Sequence, residues 1–194
     1  MRFRFLSPAL FLFLLLFSPN LIHAQAAPSG YGRTFSVTAG GMGSIFQPDY
    51  KGNSVPAASS NALLGGGAYV DVYFNRWLGL EAEGRWLRFN QYADIHQDNY
   101  LLGYWLPIQK LRFGNFTPYG KVLAGYGKMN FEYNDAHGRF TDIAYGGGLD
   151  YQRGKSKFVL RPVDFEYQQW PDWLGTTLHP WGFSAGIGYR FWGR

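Results

Sequence analysis

The chain has 194 residues, a net charge of +5, 46% hydrophobic and only 16% charged residues, and no Cys. That length holds one domain, and the lack of Cys excludes disulfides, thiol redox chemistry and Cys-ligated zinc. Aromatics at 20%, together with 26 glycines, favour strands, and beyond the N-terminus no apolar run reaches the roughly 18 residues of a spanning helix. A strand-built membrane protein stays open, because its alternating wall averages to an ordinary hydropathy.

In chain order, Arg2 and Arg4 precede the apolar run Leu10 to Phe17, which Pro19 and Asn20 break before Ala24-Gln25-Ala26. A basic start, a short apolar core and a small-residue site are the marks of a cleavable signal peptide. The reading divides the chain into a signal peptide, 1–26, cut after Ala26 (Ala24 is the competing site), and a domain, 27–194. Losing Arg2 and Arg4 makes the rest less basic. Its cations are scattered, so nucleic acid is not an expected partner.

Period-2 alternation then predicts eight strands, near 33–46, 63–74, 78–89, 99–108, 116–129, 143–153, 158–168 and 180–192. The third is the clearest: Leu78, Leu80, Ala82, Gly84 and Trp86 alternate with Gly79, Glu81, Glu83 and Arg85. In the seventh, Arg161 falls on the opposite face from Asp164 and Glu166 unless Pro162 marks a bulge, a place where sheets tolerate Pro. The connections 47–62, 90–98, 130–142 and 169–179 read as long, and those at 75–77, 109–115 and 154–157 as shorter. Long alternating with short is what an up-and-down barrel inserted from one side produces.

In hydrocarbon every backbone N–H and C=O needs a partner, so strands cross only as a closed barrel. The predicted fold is therefore all-β: an eight-stranded antiparallel up-and-down transmembrane β-barrel. Eight strands leave a bore just wide enough for side chains to fill. Asp71, Glu81, Glu83, Arg85, Lys121, Asp150, Arg161, Asp164, Glu166 and Arg190 are the charges expected to fill it, pairing where a lone ion is costly. Glu81 and Glu83 share a face and invite an acid–base reading, but paired interior ions are the ordinary filling of a small barrel. Aromatics near the strand ends, Trp86, Tyr100, Tyr126, Phe158 and Trp192 among them, suit two interfacial girdles. Tyr50, Tyr133, Trp170 and Trp173 fall in the predicted long loops as candidate contacts for a surface ligand. Gly65-Gly66-Gly67 and Gly146-Gly147-Gly148 open no predicted helix and read as flat wall, not phosphate loops.

In the last strand, Trp181, Phe183, Ala185, Ile187, Tyr189 and Phe191 share one face against Gly, Ser and Arg. Here the sequence resembles bacterial outer-membrane β-barrel proteins of the OmpA-like eight-stranded class. Ser184, Gly186, Tyr189 and Phe191 match the polar residue, glycine and alternating aromatics such proteins present to the barrel-assembly machinery, although Trp192, Gly193 and Arg194 follow. The resemblance implies an outer-membrane location, contact with membrane lipid and lipopolysaccharide, and structural, adhesive or host-interaction roles.

Other classes fit less well. Some eight-stranded barrels act on lipid A with a His-x-Ser pair. None of His96, His137 and His179 begins one, and His179 with Ser184 would lie on opposite faces. Those histidines sit in separate predicted loops without distinctive ligand spacing, so no metal or cofactor is expected. A secreted lipocalin-like carrier would need an apolar bore, against which the final strand's apolar aromatic face weighs.

Overall fold

The computed structural model describes residues 35–49, 62–75, 78–89, 96–131, 136–173 and 176–192. The signal-peptide reading lies outside them. The strands are β1 (Ser36–Gln47), β2 (Leu63–Asn75), β3 (Leu78–Phe89), β4 (His96–Pro107), β5 (Phe116–Phe131), β6 (Ala136–Tyr151), β7 (Phe158–Trp173), β8 (Thr176–Leu178) and β9 (Trp181–Trp192).

Each strand pairs antiparallel with the next from β1 to β7, β7 pairs with β9, and β9 returns to β1. The sheet is thereby closed into eight staves. The three-residue β8 is a short cap on the end of β7. Closure gives each of the eight staves a described partner on both sides, which is what a barrel in hydrocarbon requires. We call the end where β1 meets the connection to β2 the upper rim, and the end where β1 starts and β9 finishes the lower rim.

Period-2 alternation sets the two faces. Across the middle of the barrel the outward side chains are apolar: Leu102 is 60% exposed, Ile187 55% and Val122 50%. Inward side chains are mostly polar, and they are buried. The pairing of β7 shifts register between Arg161 and Asp164 against β9. That irregularity spans Pro162 and turns Arg161 inward alongside Asp164 and Glu166, all three buried.

The lower turns follow local chemistry. Gly114 has φ 58° between Phe113 and Phe116, whose backbones exchange hydrogen bonds of 3.1 and 3.0 Å. Gly154, at φ 55°, turns β6 into β7. Both are left-handed conformations that glycine adopts without steric cost.

Two predicted loops are strand instead. β6 begins at Ala136, not near 143, and β7 runs on to Trp173, so most of 130–142 and 169–179 lies in hairpins. Strict alternation of long and short connections is therefore not what the chain adopts: only four residues, 132–135, separate β5 from β6. β5, β6 and β7 each have 16 residues, more than the roughly 9–11 that cross an apolar band, and the excess projects above the upper rim.

Inside, the wall is thinned where rings lie against it. A Cβ on Gly40 would sit 2.6 Å from the Ile187 carbonyl oxygen and 2.7 Å from the Tyr69 ring. We expect Gly40→Val to cost about 1–3 kcal/mol through overpacking. The check is a lower urea midpoint in a reversible folding titration into phospholipid vesicles.

Candidate functional site

The bore is the most elaborated part of the molecule, filled in three layers above an open lower mouth. Near the lower rim Tyr73, Trp105 and Tyr119 form an apolar cluster, with Trp105 contacting both tyrosine rings. Near the upper rim Phe46, Leu63, Leu87, Met129, Trp170 and Leu178 form another. Between them runs a column of ions.

Strand alternation builds that column. Glu81, Glu83 and Arg85 are spaced by two on β3 and point the same way, and β7 supplies Asp164 and Glu166 from across the bore. Lys121, from β5, places its Nζ 3.1 Å from Glu81, 3.0 Å from Glu83, 2.8 Å from Asp164 and 3.1 Å from Glu166. Above it, the Arg85 guanidinium donates to Glu166 at 2.8 and 3.3 Å and to Glu83 at 3.3 Å. Below it, Arg161 donates to Asp71 at 2.8 Å, Glu81 at 3.0 Å and Asp150 at 3.0 Å. The Arg161 guanidinium is also sandwiched between the rings of Tyr69 and Tyr119, 4.1 and 4.6 Å from their centroids. Charge-assisted bonds and two aromatic faces compensate a group that is costly to remove from water.

A network rich in amide side chains continues upward. Gln168 donates to Glu166 at 2.7 Å, and Asn99 donates to Gln168 at 3.3 Å and to Asp142. Gln97 donates to Asn99 at 2.9 Å, and the Trp170 indole donates to Gln168 at 3.1 Å. On β1 and β9 the hydroxyls of Ser44 and Ser184 are 2.8 Å apart.

All ten charges named from the sequence face the bore. Asp71, Glu81, Glu83, Arg85, Lys121, Arg161, Asp164 and Glu166 are buried in the column, whereas Asp150 and Arg190 border its lower mouth and are partly exposed. Arg190 bonds Gln152 at 2.7 Å, not a carboxylate. Sequence reasoning missed Asp142, Gln97, Asn99 and Gln168, all buried. Asp142 lay in a segment read as loop, and Gln97 just before the predicted start of β4.

The candidate loop contacts fare differently. Trp170 is a correction: it is 0% exposed, stacks on Phe140 with centroids 6.1 Å apart, and closes the bore from above. A Cβ on Gly127 would come within 2.6 Å of its ring, so the opposing wall is shaped to admit it. Tyr50 and Tyr133 lie outside the described residues, as does the Trp173 side chain. Of the four assembly-signal residues, Ser184 points inward, Gly186 faces Met42 inside the wall, and Tyr189 and Phe191 pair outside with centroids 5.1 Å apart.

Glu81 and Glu83, the acid–base candidates, are held by the same ammonium. Glu81, Glu83 and Asp164 lie close enough together to ligate a cation, but Lys121 already occupies their centre. His179 bonds the Tyr167 hydroxyl at 2.8 Å, whereas Ser184 is inside the barrel, so the two do not meet.

Outside, two girdles flank the apolar band. The upper one includes Trp86, whose indole donates to the Tyr100 hydroxyl at 3.0 Å, and Tyr126, 5.3 Å from Tyr100 between centroids. The lower one includes Phe158 against Tyr189 at 5.4 Å. Just above the upper girdle, four strands carry charges outward at one height. Arg88 pairs with Asp98, Asp98 lies opposite Lys128, and Lys128 lies opposite Arg139.

Known structures share this architecture. Neisserial surface protein A is similar at a TM-score of 0.58 and 11% identity, with 81% of this chain and 97% of that one covered. OprG of Pseudomonas aeruginosa gives 0.55 at 15% identity, covering 82% and 97%. The N-terminal barrel domain of Pseudomonas aeruginosa OprF gives 0.50 at 18%, covering 82% and 100%. At such identities the likeness is one of fold. No curated protein matches the sequence. The family described as the outer membrane protein beta-barrel domain matches over residues 9–191, nearly the whole chain, and this protein belongs to that family.

Proposed function

We propose that this protein is exported by its signal peptide, 1–26, and that residues 27–194 insert into the bacterial outer membrane as a barrel with a structural or surface-interaction role. One observation carries the reading: an outward face coated with apolar and aromatic side chains encloses a bore packed with paired ions and capped by apolar clusters at both ends. A lipocalin-like carrier needs the reverse, and an enzyme needs a group free to react. The bore has no room for flux, so we expect the protein to insert into planar bilayers without conductance steps.

In this reading the upper rim faces outward from the cell, assembly proceeds through Ser184, Gly186, Tyr189 and Phe191 in β9, and the long connections predicted from the sequence, 47–62 among them, contact any external ligand. The row of Arg88, Lys128 and Arg139 above the upper girdle suits the phosphates of lipopolysaccharide. Lys128 directly opposite Arg139 is a like-charge pair that costs stability unless an anion bridges it. Each cation near an anionic surface is worth about 1 kcal/mol. A variant with all three changed to Gln should lose most of the thermal stabilisation that lipopolysaccharide gives the micelle-held protein. Undiminished stabilisation would remove the row from the account.

The reading as a whole is tested by cell fractionation combined with gel migration of unboiled, detergent-extracted protein. Outer-membrane recovery with a heat-dependent mobility shift is expected. A soluble periplasmic pool without a shift would overturn it.

A further inference from the structure

The lower mouth of the barrel is a concavity of about 650 Å³, lying below the ionic column and open on the side away from the Arg88, Lys128 and Arg139 row. Trp105 and Tyr73 line its inner end, and Arg112, Lys155, Lys157 and Arg190 stand around it. They come from three different elements: the β4–β5 connection, the β6–β7 turn, and β9. Asp150 is the one carboxylate in the lining, and Arg161 already holds it at 3.0 Å from within the bore.

Among the described residues none of the four cations makes an ion pair. Arg190 has one bond to Gln152 through Nη1, while its Nε is buried without an acceptor. Trp105, itself more than nine-tenths buried, also holds its indole Nε1 without a partner. Buried donors without acceptors are uncommon and call for an explanation. Here both border a basin where positive charge exceeds negative by three, and where every unmatched group is a donor. Low-dielectric walls concentrate such a field and draw in anions.

We propose that the lower mouth binds a small polyvalent oxyanion of the phosphate class, with Arg190 and Arg112 grasping oxygens and Lys155 and Lys157 neutralising the remaining charge. The volume is that of a small-molecule site and not of a polymer groove. The proposal stands on the closed barrel alone and does not depend on which membrane holds it.

The test uses the folded chain in micelles of an uncharged detergent, titrated with pyrophosphate by calorimetry. One ligand per barrel is expected, with affinity falling steeply as salt rises. Arg190→Gln and Lys155→Gln should each weaken binding about tenfold, the loss of one charge-assisted contact. Thr141→Ala, an exposed position on β6 toward the opposite rim, should change nothing. Lys155 sits on an exposed turn, so its variant reports on the site even if Arg190→Gln misfolds. A phospholipid headgroup carries the same phosphate chemistry. Displacement of pyrophosphate by phosphatidylglycerol doped into the micelles would identify the headgroup as the source, and its failure a soluble anion. Absence of binding, or binding indifferent to both lower-mouth variants, would overturn the proposal.

Discussion

Replacing Lys121 with Met is expected to destabilise the barrel by about 3–5 kcal/mol, the cost of breaking a buried ion pair by removing one partner. Its Nζ is shared by four carboxylates, but they do not depend on it equally. Glu81 keeps Arg161, while Glu83 and Glu166 keep Arg85. Among the described residues, Lys121 is the one cation within salt-bridge distance of Asp164. The double variant Lys121→Met with Asp164→Asn should therefore recover a large part of the loss, which a double-mutant cycle isolates. Urea titrations of folding into phospholipid vesicles measure both. If Lys121→Met alone is neutral, the column is not an ion-paired unit.

Trp170→Ala should cost a similar amount, about 3–5 kcal/mol, as expected for a large aromatic removed from a packed site. The ring is fully buried among Phe46, Leu63, Leu87, Met129 and Leu178, and its indole nitrogen donates to Gln168. Trp170→Phe keeps most of the packing and loses only the hydrogen bond, so it should cost about 1–2 kcal/mol. The ordering separates a structural plug from a surface contact. A loop tryptophan that bound a ligand would leave stability unchanged in both variants while abolishing binding, and that result would reinstate the reading from sequence.

The residues that were legible are those where one face meets an apolar surroundings. β3 was read with its bounds intact because Leu78, Leu80, Ala82 and Trp86 oppose charged neighbours without interruption. The bulge near Pro162 was legible as well, since only a register shift brings Arg161 to the face of Asp164 and Glu166. Above the upper girdle the signal fades. Around Gly138, Arg139, Thr141 and Asp142 neither face is apolar, because the outer side no longer needs to be, so period 2 leaves no hydrophobic trace. The same segment hid Asp142 from the list of interior charges. Trp170 was misplaced for a related reason: Trp170-Pro171-Asp172-Trp173 carries turn-forming chemistry, yet pairing with β8 extends β7 through it. The partition of glycines was legible as flat wall but not in its pairing. Which ring lies on Gly40 or Gly127 depends on the register around the whole barrel.

The central claim is that this cylinder is lined with paired ions and coated with apolar side chains that meet lipid. The chain has no Cys, so single spin labels can be placed without background. Labels at Leu102, Val122 and Ile187 in vesicle-embedded protein should collide readily with dissolved oxygen and hardly at all with an aqueous nickel chelate. Nickel access at those three sites, with oxygen access no higher than in water, would contradict the account.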